Sequence, residues 1–588
     1  MSSSVNPAEF GEGRRARRRT FLERGFFDDS RRTMAVVISI ILAILVLPPI
    51  GILIQQSLVE TAPDGSFIRL TLDHYAKLLD DPRVFESTWN TVQFGLGSTV
   101  LSLLIGGILA WLVERTNAPF KRLAYATTII SMGTPYVLYV IAWLFLLGRA
   151  GPINDIYRSM TGSFGVLINV NSMWGMILIE GFLWSPLVFL LLGSTFRASN
   201  ADMEEAARMS GASVFDTVRR VSIPLAMPAI LALSLFVFIR AIEAFDVPAL
   251  VGTPAKISVL TTEIYYSSKL IPPDLGHASS FSVILLVVVA VLFYFYSRIS
   301  KNAERYHSVT GKGYRPRLFD LGTARWIAGT FIMLNFLIVL VLPLSMLLWR
   351  ALLPYLQGIS FKAMRSMTLD NFTSVFESVY YLEYAWNTIL VVAGAATLIM
   401  ILTAIAGWIA ARRGPCGAIL DQLSTIPLIF PGVVLGVAVM QIYLRVPLPI
   451  YGSLWILLIA YAIRYMPYGM RYTYSAVLQI HKELEESAGV AGASAVTAFR
   501  RIIAPLLSPA LVSGWLFIFL IATKELSIAI LLASPNSQVM APAMFDLWVN
   551  GQSGELAAFG LVWTVVMTLV ATAFFAWARR QGQDIFGS

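Results

Sequence analysis

Five charged residues stand within otherwise apolar stretches of this 588-residue sequence. Arg240, Glu243 and Asp246 share one stretch, and Lys524 and Glu525 share another. Charges are costly inside a lipid bilayer, so they usually mark either a transport pathway or a structural ion pair. Carboxylate oxygens suit a hard cation, although too few carboxylates are grouped here to form a metal cage. A polar lining and a pairing between helices both stay open.

Other kinds of chemistry have little support in the sequence. The single cysteine, Cys416, excludes a disulfide framework, and the four histidines stand singly. The segment Gly311-Lys312-Gly313 lacks the upstream glycine and the following serine or threonine of a phosphate-binding loop. We therefore expect no catalytic residue, no cofactor and no resident metal, and any ATP hydrolysis must occur on separate subunits.

The composition places much of the chain in lipid. Hydrophobic residues make up 57% of the sequence and charged residues only 13%, whereas a soluble domain has about 25% charged residues. The net charge of +9 would suit nucleic acid. However, the basic residues cluster in short runs between long apolar stretches, which is the positive-inside pattern of membrane proteins. We therefore expect the lipid bilayer as a partner, and no nucleic acid.

Apolar windows predict an all-α polytopic membrane protein with about 12 transmembrane helices. They lie at 34–56, 88–113, 122–147, 173–196, 226–249, 277–297, 326–349, 386–410, 419–444, 453–476, 508–533 and 556–578. The first window is long enough to span and lacks a cleavage site, so we interpret it as a retained helix after a basic tail. All the basic clusters fall on one side if both termini are cytoplasmic.

The sequence also repeats itself. Trp89-Asn90-Thr91 recurs as Trp386-Asn387-Thr388 after 297 positions, and later matches recur after 281 positions. The predicted divisions are a cytoplasmic tail (1–33), a first repeat (34–300), a cytoplasmic linker (301–325) and a second repeat (326–588). Six spans per repeat is an even number, so the two repeats are parallel, an arrangement that often builds a transport pathway at the repeat interface.

One motif occurs between predicted spans 4 and 5 and again between spans 10 and 11. Its residues are Glu205, Ala206, Ala207, Gly211 and Pro224 in the first copy, and Glu486, Ala488, Gly492 and Pro505 in the second. Each copy predicts a short helix with an acidic first turn. The glycine can end that helix in left-handed geometry or permit close approach of a partner. The proline is expected to interrupt the helix before the next span.

This motif resembles the signature of the binding-protein-dependent ABC importer permeases (type I). The family signature is Glu-Ala-Ala, three residues, Gly, nine residues and Ile-x-Leu-Pro; the second copy departs from it at Ser487 and Ala504. The resemblance implies that each copy is a coupling helix gripped by one of two ABC ATPase subunits. It also implies an inner-membrane permease that receives its solute from a periplasmic binding protein and does not itself hydrolyse ATP.

A second resemblance concerns the solute. The segment 241–254, Lys524-Glu525-Leu526-Ser527 and Asp546-Leu547-Trp548 look like parts of the fused permeases of ferric-iron importers. Ferric iron is therefore the implied solute, while thiamine, an aminophosphonate or another small solute stay open because their fused permeases look similar. A secondary transporter is disfavoured, since it would predict proton-relay charges and no duplicated docking motif. Glu243 aligns with Lys524 between the repeats, so the two side chains could face one another.

Overall fold

The structure is a computed structural model that describes residues 7–61, 67–198, 201–303, 318–446 and 450–580. Part of the predicted basic tail (1–6) and most of the predicted linker (304–317) lie outside the described residues. The Gly311-Lys312-Gly313 segment lies outside them as well.

The described chain is almost entirely helical. The first half contains α1 (Pro7–Ser57), α2 (Asp73–Asp80), α3 (Pro82–Arg115), α4 (Lys121–Gly133), α5 (Tyr136–Leu147), α6 (Pro152–Thr161), α7 (Met173–Ala198), α8 (Ala201–Met209), α9 (Val214–Thr217), α10 (Ile223–Ile242), α11 (Leu260–Lys269) and α12 (Leu275–Ala303). Two short strands, β1 (Val59–Thr61) and β2 (Phe67–Leu70), form an antiparallel hairpin after α1.

The second half continues in the same way. It contains α13 (Arg325–Phe336), α14 (Leu342–Ala351), α15 (Phe361–Arg365), α16 (Asp370–Glu377), α17 (Val379–Ala411), α18 (Gly417–Thr425), α19 (Gly432–Arg445), α20 (Leu454–Leu478), α21 (Glu483–Val490), α22 (Ala495–Ala498), α23 (Ala504–Ala522), α24 (Ala529–Leu532), α25 (Met540–Val549) and α26 (Ser553–Arg580).

The predicted all-α polytopic fold is confirmed. Among the described residues, 10 helices are long and apolar enough to cross a membrane, or 11 if one bent pair counts as a single span. The sequence predicted 12. The difference lies at α20, which fills the predicted window 453–476 but carries Arg464 and Arg471 among its apolar residues.

Four predicted windows are interrupted in the structure, and two of them divide at a proline. The window 122–147 divides into α4 and α5 at Pro135, and the window 419–444 divides before α19 at Pro431. The second break bends the pair of helices by 107°. Proline lacks the N–H that continues a helix and clashes with the preceding turn, so both breaks have the same local cause. Each of these two predicted windows is therefore formed by two helices instead of one.

The prolines of the repeated motif behave differently. We expected Pro224 and Pro505 to interrupt the helix, yet continuous helical segments run through them at 214–242 and 495–522. Immediately before each proline the helix widens into a π-turn, at Val218–Ser222 and Phe499–Ile503. A π-turn shifts the local hydrogen-bond pattern and so accommodates a proline that would otherwise break the helix.

The repeated Trp-Asn-Thr motif fixes the start of α3 and of α17 in the same way. The paired contacts are Asn90 Nδ2 to Ser258 O (3.0 Å), Leu260 N to Thr91 Oγ1 (3.0 Å), Asn387 Nδ2 to Gln538 O (3.1 Å) and Met540 N to Thr388 Oγ1 (2.8 Å). Each motif therefore ties the N-terminal part of its helix to the segment that follows the fifth span of its repeat.

The chain forms two compact units that divide it differently from the sequence repeats. The first unit comprises residues 1–51, 390–428 and 455–522, and its core joins Leu42 of α1 to Trp408 and Met466. The second comprises the remaining residues, and its core joins Ile332 of α13 to Val188 of α7. In each unit the first long helix of one repeat therefore packs against helices of the other repeat.

Candidate functional site

The first coupling loop (residues 201–217) is built from two helices joined at a glycine. Helix α8 ends at Met209, and Gly211 adopts a φ of +85°. This is the left-handed region, which glycine occupies without steric cost. Ser213 Oγ then accepts a hydrogen bond of 3.1 Å from the Asp216 N–H and caps α9. The predicted helix and the predicted left-handed glycine are both present.

The second coupling loop (residues 483–498) has the same construction. Helix α21 is followed by Gly492, whose φ is +79°. Ser494 Oγ accepts a hydrogen bond of 3.2 Å from the Thr497 N–H and caps α22. Each of these features lies 281 positions after its counterpart, so the sequence repeat is also a repeat of backbone geometry.

Both coupling loops expose apolar side chains at equivalent positions. The pairs are Met203 with Leu484, Met209 with Val490, and Phe215 with Val496. Met209 is 90% exposed and lies beyond the predicted membrane spans. Exposed apolar side chains that recur around a fixed turn mark a protein-binding surface. The neighbouring Glu205 is half-buried and Glu486 is exposed.

The glutamates that precede Glu205 and Glu486 are both buried, and each forms an ion pair. The sequence analysis did not identify these pairs. Glu204 pairs with Arg115, the last residue of α3, and the two side chains are only 3% and 2% exposed. Ser222 Oγ, in the π-turn before α10, donates a hydrogen bond of 2.6 Å to the same carboxylate. Glu204 therefore fastens α8 to the end of α3 and to the start of α10.

The second coupling loop contains the equivalent pair. Arg412 Nε donates to Glu485 Oε1 at 2.8 Å, and Trp408 Nε1 donates to Glu485 Oε2 at 3.0 Å. Arg412 also donates to Ile480 O at 2.7 Å. Arg412 lies 297 positions after Arg115, and Glu485 lies 281 positions after Glu204, which are the two offsets of the repeat. Those offsets show from the sequence that the arginine and the glutamate each recur, but not that the two side chains meet.

The last part of the predicted linker, at Phe319 and Asp320, also packs against the first coupling loop. Phe319 N donates to Arg115 O at 2.7 Å, and the guanidinium of Arg208 lies 5.3 Å from the Phe319 ring centre. The next residue, Asp320, accepts hydrogen bonds from the Gly322 N–H and the Asn117 amide, which hold the pKa of its carboxyl below the ordinary value. A charged carboxylate therefore stabilises this contact at neutral pH.

The five charges predicted within the spans lie near the ends of α10 and α23. Arg240 Nη1 donates to Glu243 Oε2 at 2.8 Å, so this pair is formed within one segment. Lys524 Nζ donates to Ser131 O at 2.7 Å and lies 4.9 Å from the Tyr136 ring centre. Lys524 thus makes these contacts beside the break between α4 and α5, and the facing of Glu243 and Lys524 stays a prediction.

Asp246 brings further carboxylates into the same region. Its charge interacts with those of Glu180, Glu525 and Arg240, and its Oδ1 is buried without a hydrogen-bond partner among the described residues. Glu180, on α7, is 3% exposed and accepts a hydrogen bond of 2.8 Å from Trp184 Nε1. We did not select Glu180 from the sequence, although a charge inside the window 173–196 satisfied the rule applied to the other five.

We call these six residues the charge cluster: Glu180, Arg240, Glu243, Asp246, Lys524 and Glu525. A Cβ added at Gly432, the first residue of α19, would lie 3.1 Å from Glu525 Oε1, so the second helix break also approaches the cluster. Among the described residues, no group of three or more histidine, cysteine or acidic side chains is arranged to hold a metal ion. The cluster can therefore offer oxygen contacts to a passing cation without enclosing it.

A pocket of about 680 Å³ lies at the ends of α5 and α14. Arg149 and Arg350 line it, together with aromatic residues such as Trp548, and none of the described residues in its lining is acidic. Arg350 is held in place because it donates to Ser553 Oγ and to Leu353 O, each at 2.8 Å. Two guanidinium groups without a carboxylate beside them in this lining favour a carboxylate ligand.

Comparison with known proteins identifies a family whose model matches this chain. The family model described as "Binding-protein-dependent transport system inner membrane component" matches residues 102–305 and 403–586. The two matches fall one in each sequence repeat, and each contains one coupling loop.

Three individual relatives are 25% or 26% identical to this chain. A ferric transport system permease protein of Actinobacillus pleuropneumoniae is 25% identical over 82% of this chain and 69% of its own length. A putative ferric transport system permease protein of Haemophilus influenzae is 26% identical over 76% of this chain and 69% of its own length. A spermidine/putrescine transport system permease protein of the same species is 26% identical over 46% of this chain and 94% of its own length.

Proposed function

This chain belongs to the family of inner-membrane components of binding-protein-dependent transport systems, and from that premise we propose that it forms the translocation pathway of an ABC importer for ferric iron. The family component is a multi-pass permease and is not itself catalytic. Movement of the coupling loops by partner ATPases would expose the pathway alternately to the two sides of the membrane.

The observation that carries this proposal is the pair of equivalent coupling loops. Each presents a rigid helix–glycine–helix turn with apolar side chains exposed around it, such as Met209 and Val490. Two such surfaces in one chain fit two ATPase subunits, one on each loop. With both termini in the cytoplasm, both loops and the basic pairs Arg219-Arg220 and Arg500-Arg501 lie on the cytoplasmic side, in agreement with the positive-inside rule.

In the same orientation, the pocket lined by Arg149 and Arg350 lies on the periplasmic side. Arg149 and Arg350 would there meet acidic side chains of a docked binding protein, because arginine and carboxylate form strong bidentate hydrogen bonds. Solute selection would then rest mainly on that binding protein, and the permease would need only to pass the released solute.

The charge cluster supports a cationic solute. Four carboxylates stand against two basic groups, so the formal charge of the cluster is negative. A negative lining lowers the energy of a cation in a low-dielectric region and raises that of an anion. This favours ferric iron over an aminophosphonate, and oxygen ligands suit a hard cation.

Uptake by whole cells tests the solute. Cells that carry the complete transport system are compared with cells that lack only this chain, using radiolabelled ferric iron, thiamine and an aminophosphonate in separate assays. We expect deletion to remove iron uptake and leave uptake of the other two unchanged. Loss of another solute's uptake with iron uptake intact would refute iron and keep the permease function.

ATP hydrolysis tests the division of labour. We expect the purified chain in detergent or lipid to show no hydrolysis above background, and activity to appear when its ATPase subunits are added. The reason is that no phosphate-binding loop occurs in the sequence. A partner carrying a substitution in its own phosphate-binding loop is the control. Hydrolysis by the chain alone, at a rate unaffected by further purification, would contradict the proposal.

A further inference from the structure

The two buried arginine–glutamate pairs lie where each coupling loop meets a long membrane-spanning helix. Arg115 ends α3, Arg412 immediately follows α17, and their partners Glu204 and Glu485 stand on α8 and α21. All four side chains are less than a tenth exposed. We propose that these pairs make each coupling loop move as one body with the inner end of α3 or α17, and so transmit movement of the ATPases to the membrane helices.

Burial is the first support for this role. A carboxylate removed from water is tolerated only while its charge is compensated, and separating such a pair is strongly unfavourable. Arg115 Nη2 donates to Glu204, while Arg115 Nε and Nη1 have no hydrogen-bond partner within the described structure, so Glu204 is the compensating charge. The coupling loop therefore cannot slide past the helix end without uncovering two buried charges. A rigid connection follows.

Additional hydrogen bonds direct the connection toward particular helices. Ser222 joins Glu204 to the start of α10, and Trp408 joins Glu485 to the last turns of α17. The adjacent glutamate is half-buried in the first loop (Glu205) and exposed in the second (Glu486). Glu204 and Glu485 thus face the membrane helices, while the glutamate that follows each of them is less buried.

Recurrence at equivalent positions is the second support. The arginines and the glutamates match at the offsets of the repeat, although the surrounding donors differ, with serine in one loop and tryptophan in the other. Both pairs belong to the repeated part of the chain, so each coupling loop has the same connection to a long helix. Recurrence is expected if both loops must transmit force. This role rests on the proposed function, because it requires ATPases at the coupling loops.

The experiment uses the assembled transporter in lipid vesicles and a reporter that does not depend on the solute. A single reactive cysteine is introduced as Asp246→Cys in a Cys416→Ser background, and its reaction with a thiol reagent is measured with and without bound ATP. In the chain that keeps both native arginine–glutamate pairs, which we call the native-pair chain, we expect ATP to change the reaction rate at least about fivefold. This is the lower end of the typical coupling between two sites.

The test variant combines Glu204→Gln with Glu485→Gln, and the matched control is Glu377→Gln, an exposed position at the end of α16 and outside both coupling loops. We expect the test variant to keep its ATP hydrolysis but lose the ATP-dependent change in cysteine reactivity, while the control retains both. Glu204→Asp with Glu485→Asp should restore part of the change. If the glutamine variant assembles too poorly to measure, this aspartate variant takes its place, and a reduced change is then expected.

The outcomes separate the two proposals. If the native-pair chain shows no ATP-dependent change at all, the proposed function fails. If it shows the change and the assembled variants show it equally, the pairs are only structural and this inference is overturned. Reduced amounts of folded chain with a normal change per assembled transporter would overturn it in the same way.

Discussion

Arginine in place of Gly211 or Gly492 is expected to abolish transport while the chain still inserts and folds. Both glycines have φ values near +80°, where a residue with a Cβ is disfavoured by roughly 1–2 kcal/mol. A Cβ at Gly211 would meet nothing within 4 Å, so the chain itself has room for a side chain. The large charged group would instead occupy the space that a docked ATPase needs. Solute uptake and ATPase binding, at equal expression, measure the effect.

Two control substitutions separate two possible causes of lost transport, which are backbone strain at the glycine and blocked docking of the ATPase. Gly162→Arg introduces the same side chain at a φ of +66° with nothing within 4 Å, at the end of α6 and away from both coupling loops. We expect it to retain transport. Gly211→Asn tests backbone geometry, because asparagine tolerates left-handed φ better than arginine does. Wild-type uptake in both arginine variants would show that the coupling loops do not dock a partner in this way.

Removal of negative charge from the charge cluster is the second large effect that we expect. Asp246→Asn and Glu525→Gln should each lower uptake of a cationic solute by about tenfold or more, equivalent to roughly 1.4 kcal/mol in the barrier. The oxygen Oδ1 of Asp246 has no hydrogen-bond partner among the described residues, so the amide should cost the fold little. Initial uptake rates of ferric iron in vesicles, with ATP hydrolysis measured in parallel, provide the measurement.

Glu243→Gln is the comparison for this experiment, because it removes a carboxylate that is already paired with Arg240. We expect it to reduce the yield of folded chain more than Asp246→Asn does, since the arginine loses its compensating charge. Glu180→Gln should resemble Asp246→Asn. If all four variants transport the cation at the native rate, the cluster is structural and the pathway lies elsewhere.

Much of this protein could be predicted from its sequence. Apolar windows require lipid around them. The two offsets of the repeat already match the residues of the first coupling loop with those of the second. The left-handed glycines, the short helices around them and the intramembrane charges are local consequences of residue type, so they were predictable. Even Glu180 and the matched arginines satisfied rules that the sequence already offered.

Only the tertiary structure decided which of these residues meet. Glu204 and Glu205 are chemically identical neighbours, and the first is buried because it faces Arg115, a residue 89 positions earlier in the chain. Pro135 breaks a span whereas Pro224 follows a π-turn within a continuous helix, because the surrounding backbone either accommodates the missing N–H or does not. Lys524 contacts Ser131 across almost 400 residues of sequence. Such pairings depend on how distant helices pack, and residue type and spacing along one chain do not specify that packing.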